Sequence, residues 1–291
     1  LVMRRRVWMI FFRICPPDLT SQSFLNKSNL LPAIHPLFVR GLIAGFIFYS
    51  LTAHAVLIDE VQVYDDAINE PGEFGVELHL NATPSGRGTP DYPGEIVPAH
   101  GIRSTFELAY ASSEHLEWGL YIPLEYTPAG DERFSGFRYR LKYIAQKASA
   151  EKPFFYGINF ELSHVKTIFE QSQDRLETRP ILGWKENGWL YAFNPVIGQN
   201  LKPGQRTGGP DFSPSFKIAR EVREGFTVGT EYYAELGQFS HFDSYSNQAH
   251  TVYLVLDVDR KPFVFNIGIG RGLTAATDHW TIKSIIEIPV D

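Results

Sequence analysis

From residue 72 onward the chain alternates apolar and polar residues one for one, and this period of two limits its fold more than any other feature. Phe74, Val76, Leu78 and Leu80 fall on one face, and Gly75, Glu77, His79 and Asn81 on the other. Between 137 and 143, Phe137, Tyr139, Leu141 and Tyr143 interleave with Arg138, Arg140 and Lys142. A helix would scatter those three cations around its cylinder, whereas a strand puts them all on one side. Twelve such runs can be read between residue 72 and the end, each of about 10 to 13 residues, against the roughly 9 to 11 that a tilted strand needs to cross a bilayer. Soluble strands average about 5 or 6.

The connections alternate in length. Those near Ser113, Ser149, Asn187, Glu224 and Arg260 are short, and the others are mostly longer, with Ala82 to His100 the longest. An even strand number, short turns at one end and long loops at the other describe a single-chain membrane barrel with both ends in the periplasm. The expected fold is therefore all-β, a transmembrane antiparallel up-and-down barrel of about twelve strands. Aromatic residues gather near strand ends, at Trp118, Tyr143, Trp184, Trp189, Tyr232, Phe263 and Trp280, where a membrane interface favours them. A soluble barrel would turn the apolar face inward instead; strand length favours the membrane version. The chain finishes Ile288, Pro289, Val290, Asp291, without the terminal aromatic that such barrels commonly carry.

The front of the chain carries a different signal. Arg40 precedes the apolar run 41 to 52, followed by Ala53, His54 and Ala55. A basic residue, a short apolar stretch and small residues at −3 and −1 make a secretory signal peptide. The expected division is residues 1–55 as N-terminal extension and signal peptide, cleaved after Ala55, then 56–71 as a short periplasmic segment, then 72–291 as the barrel. Cys15 is the chain's one cysteine, so the exported part has neither a disulfide framework nor a thiolate site. Residues 56–291 hold 21 Lys and Arg against 32 Asp and Glu, and an acidic exported chain is a poor partner for nucleic acid.

Sequence signals for catalysis are weak. Gly268, Gly270 and Gly272 form GxGxG within a β-run, without the strand-turn-helix context of a dinucleotide loop; inward glycines that make room for bulky neighbours are the expected reading. His79, His100, His115, His164, His241, His250 and His279 show no metal-ligand spacing. Ser240, His241 and Asp243 lie together in one loop, and no GxSxG elbow is present. No catalytic residue, metal or cofactor is expected. The best functional residues are the charges on the polar face: Glu77, Glu107, Glu117, Arg138, Arg140, Lys142, Glu161, Glu177, Arg179, Lys217, Glu231, Asp257 and Lys283 are pore-lining candidates. Arg103, Glu125 and Glu235 share that face. Charges in such positions set pore selectivity or pair across the lumen and close it. The stripe Arg138, Arg140, Lys142 leads to an expected bias towards anions.

The segments GEFGVELHLN (72–81), LEWGLYIPL (116–124), RYRLKYIAQK (138–147), TEYYAELG (230–237), YLVLDVDR (253–260) and FNIGIGRGLT (265–274) resemble the outer-membrane β-barrel family named for the MetA pathway of phenol degradation. The likeness covers most of the chain after residue 72 and rests on barrel patterning and glycine placement. It implies an outer-membrane transporter of a small, often hydrophobic compound. Separately, the missing catalytic motifs leave no enzyme expected, and lipid and the barrel-assembly machinery are the partners expected of such a barrel. Two rival expectations stand beside it: a closed structural or adhesive barrel whose outer loops bind partners, and an outer-membrane hydrolase.

Overall fold

The computed structural model describes residues 60–202, 209–261 and 263–288. Among them are fifteen strands and no helix: β1 (Phe74–Ser85), β2 (Ile102–Ala111), β3 (Leu116–Tyr126), β4 (Glu132–Phe134), β5 (Gly136–Gln146), β6 (Phe154–Val165), β7 (Asp174–Glu186), β8 (Trp189–Asn200), β9 (Asp211–Arg223), β10 (Phe226–Glu235), β11 (Gly237–Gln238), β12 (His241–Phe242), β13 (Ala249–Arg260), β14 (Phe263–Gly272) and β15 (Trp280–Ile288). β4, β11 and β12 are short pieces within loops. The other twelve each pair antiparallel with their neighbours in sequence, and β1 pairs with β15 to close the barrel. Residues 1–55, with the expected signal peptide, lie outside the described residues.

The alternation read from the sequence is the alternation of the wall. Trp118 is 52% exposed and Leu254 65%, while Glu161, on the other face, is 2% exposed. Exposed large apolar side chains recur on the outer face of every long strand, and the buried residues include a large set of charged and amide side chains. This is a soluble barrel inverted, and it is stable only with hydrocarbon outside. Trp118, Tyr143, Trp184 and Trp189 are exposed near the short-turn rim, and Trp280 near the long-loop rim.

Local chemistry fixes the turns. Asn187 and Gly188 both have positive φ, 51° and 76°, as a two-residue type I′ hairpin between β7 and β8 requires. On the wall, a Cβ at Gly268 would sit 3.0 Å from Val255 and 3.1 Å from Lys283. A Cβ at Gly270 would collide with the Tyr253 ring. The GxGxG run is thus the cavity into which larger inward side chains fit.

One stretch departs from expectation. Residues 60–69, expected within a periplasmic lead-in, run through the barrel interior. Val61, Val63, Tyr64 and Asp66 are all buried. Val63 and Tyr64 pack against Ile144, Phe155, Ile181 and Ala192, and Val61 against Tyr253 and Val255. The stretch contains only a brief alternation, so its pattern does not distinguish a lumen segment from an exposed one.

Candidate functional site

The lumen segment is held mainly by wall side chains that reach its backbone. Lys283 Nζ donates to the Val61 carbonyl at 2.8 Å, Arg179 Nη1 to Gln62 O at 3.1 Å, and Lys142 Nζ to Ala67 O at 2.6 Å. Asn194 pairs with Tyr64 twice, accepting from its N–H and donating to its carbonyl. The Tyr64 hydroxyl lies 2.5 Å from Glu60, 2.8 Å from the Tyr121 hydroxyl and 3.3 Å from Glu161, and Arg179 stands 4.4 Å from the centre of its ring. Towards the short-turn rim, Lys185 pairs with Asp65 at 3.0 Å and Asp66 at 2.5 Å. There the Asn69 amide groups donate to Glu117. Burial works against a charged Asp65, but Lys185 and Lys142 outweigh it and hold the carboxyl well below the usual carboxylate range.

All thirteen charged residues named from the sequence turn inward, and the structure gathers them into networks. Arg140 Nη2 contacts Glu107 at 2.6 Å and Glu117 at 2.7 Å. His79 lies 3.1 Å from Glu107 and 3.4 Å from Glu77. These three His and Glu side chains are close enough to hold a metal ion, a grouping that sequence spacing does not reveal because β1 and β2 bring it together. Arg140 beside Glu107 supplies a positive charge there already. Across the barrel, Lys217 joins Glu231 (3.2 Å) and Asp257 (2.8 Å), and Lys283 joins Glu231 at 2.5 Å. Arg179 is paired with Glu177 at 2.8 Å, and Arg138 approaches Glu161 at 3.7 Å and Glu170 at 4.0 Å.

The stripe Arg138, Arg140, Lys142 therefore faces the lumen, but carboxylates and a carbonyl of the lumen segment engage it. Its charge is largely compensated, which removes the ground for an anion bias. Sequence reasoning missed Tyr64, Asp65, Asp66 and Asn194 as lumen-organising residues. Asn194 carried a signal, as an amide on the polar face of β8; the other three precede the first strand and carried none.

Beyond the lumen segment, towards the long loops, a chamber of about 150 Å³ remains. The 86–101 loop contributes Tyr92 and Glu95 to its wall, and the 166–173 loop contributes Phe169 and Glu170. A backbone bond from Ile96 N to Ile168 O, 2.8 Å long, ties the two loops together. Ser240 and His241 lie elsewhere, exposed on the β11–β12 hairpin.

No family model matches the chain, and no curated protein matches it. Solved structures do. The COG4313 outer membrane channel from Pseudomonas putida F1 superposes with a TM-score of 0.51 at 10% identity, over 79% of this chain and 100% of that one. A KdgM porin superposes with a TM-score of 0.49 at 9% identity, over 75% and 99%. The likeness is one of fold.

Proposed function

We propose that the protein is an outer-membrane channel for a small solute, with a lumen occupied by its own N-terminal segment. The observation that carries this reading is the inverted barrel: a polar interior wide enough to admit a ten-residue stretch, inside an exterior dominated by large apolar side chains. The segment is held in large part through its backbone carbonyls and the Asp65 and Asp66 carboxylates, by flexible lysine and arginine side chains. Such contacts can be exchanged for water one at a time, unlike the strand pairings around them. The resemblance to the MetA-pathway family supports transport and membership of that family, and the likeness to outer membrane channels is compatible with both.

In this reading the leader is cleaved after Ala55, and the rim carrying Val76 and Ile288, register partners on β1 and β15, faces the periplasm. Lipid surrounds the wall, and the barrel-assembly machinery inserts it. Planar-bilayer recording of the purified full chain tests the proposal. The protein should conduct, and removal of residues 56–67 should give larger, steadier openings. If both forms fold yet stay silent, the barrel is a closed structural element.

A further inference from the structure

The chamber under the long loops is chemically lopsided. Seven carboxylates and three guanidiniums line it. The guanidiniums are engaged: Arg175 with Asp211 at 2.8 Å, Arg179 with Glu177 at 2.8 Å, and Arg138 with Glu161 and Glu170 at longer range. On the acidic side, oxygen Oε2 of Glu60 and of Glu235 is buried and accepts no hydrogen bond among the described residues, and Oε2 of Glu161 is buried with Arg138 Nη1 facing it at 3.7 Å, beyond hydrogen-bond reach. Glu60 is 8% exposed and Glu161 2%. Glu161 uses its other oxygen to accept from Asn159 at 2.7 Å and from Tyr64 at 3.3 Å. Buried carboxylate oxygens without donors are unfavourable unless something supplies the donors.

A single metal ion fits poorly as that supplier. Among the described residues, the only acidic and histidine side chains whose ligating atoms converge closely enough for an ion are Glu77, His79 and Glu107, outside this chamber. The chamber's acceptors are spread over its wall, from the lumen segment (Glu60) to β6 (Glu161) and the end of β10 (Glu235). Tyr92, Phe169 and Tyr233 add aromatic surface between them. Spread acceptors with intervening rings suit an extended cation, whose N–H groups reach several oxygens and whose charge lies against π faces.

We propose that this chamber binds an organic cation carrying amine or guanidinium groups. As a statement of what the channel passes, the proposal rests on the channel reading; as a statement of binding, it stands alone. The test is calorimetric titration of the full chain in detergent with cadaverine, using glutarate and calcium chloride as comparison ligands. The expected result is saturable cadaverine binding, no glutarate binding, and no displacement by calcium. The dissociation constant should rise about tenfold or more in Glu161→Gln/Glu235→Gln. Glu60→Gln lies on the lumen segment, leaves the wall intact, and should weaken binding in the same direction. It decides the matter if the double variant fails to fold.

Absence of saturable binding, binding unchanged in the folded variants, equal binding of glutarate, or displacement by calcium would each overturn the inference. Recording conductance on the same preparation separates the two proposals. A conducting protein that ignores cadaverine defeats only the chamber, and a silent one that binds it defeats only the channel.

Discussion

Asn194 makes both backbone hydrogen bonds of Tyr64: its Oδ1 accepts from the Tyr64 N–H at 2.7 Å, and its Nδ2 donates to the Tyr64 carbonyl at 3.0 Å. A carboxamide has one donor edge and one acceptor edge, so a single side chain on β8 does what a neighbouring strand would otherwise do. The segment is thereby fixed at its midpoint, with the Tyr64 ring buried beyond it.

Replacing this amide should loosen the segment and spare the wall. In Asn194→Leu the Tyr64 N–H and C=O lose their partners inside the barrel, an effect of about 1–3 kcal/mol. Openings in planar bilayers should become more frequent, while the barrel still shows heat-modifiable migration on gels. Unchanged gating in a folded Asn194→Leu barrel would mean that Tyr64 is not what holds the segment.

Acid should act on the same segment, late and in a defined direction. The Asp65 carboxyl is held below its ordinary value by Lys185 and Lys142. A depressed acid contributes fully above its unfolded pKa of about 3.9 and loses that contribution as pH falls towards the folded value. Asp65 anchoring should therefore persist from neutral pH down to about pH 4 and weaken only below it. Lys185→Ala should move the onset of acid-induced opening upward, as seen in open probability against pH. An onset near pH 6 that Lys185→Ala leaves in place would assign acid opening to another group.

The wall was legible in the sequence because a membrane barrel must keep strict alternation: one slip would carry a charge such as Arg140 into hydrocarbon. The same rule placed the thirteen charged candidates on the inner face. What could not be read was their pairing, because Glu107 meets Arg140 across an intervening strand, and register and curvature decide that contact. The lumen segment was hidden for the opposite reason. Residues such as Asp65 and Ala67 are held through ion pairs and main-chain carbonyls, and a carbonyl looks alike in every sequence.

Compensation of the cationic stripe changes what a pore should select. Arg140 lies between Glu107 and Glu117, so Arg140→Gln leaves two buried carboxylates with less positive charge nearby. Removing one partner of a buried pair typically destabilises by about 3–5 kcal/mol, and any folded fraction should shift its reversal potential towards cations under a salt gradient. Wild type should show little anion preference. Strong anion selectivity of wild type, abolished by Arg140→Gln, would restore the stripe as the selectivity element.

The orientation of the two faces gives the last test, and the lumen segment changes which residues serve it. Leu254 sits midway along β13 and is 65% exposed on the outer surface. Leu254→Arg should cost about 2–4 kcal/mol if that point lies at the bilayer midplane. Its neighbour Tyr253 points inward but is unsuited as a control. It is 3% exposed, packs on Val61 and accepts a hydrogen bond from Thr281 at 2.6 Å, so an arginine there would displace the lumen segment as well. Ser213 on β9 is better, because it borders the chamber and an added guanidinium would meet surplus carboxylates. Denaturant unfolding from lipid vesicles should show Ser213→Arg close to wild type and Leu254→Arg well below it. The opposite order would place the apolar face inside a water-soluble barrel, with the charged networks outside it.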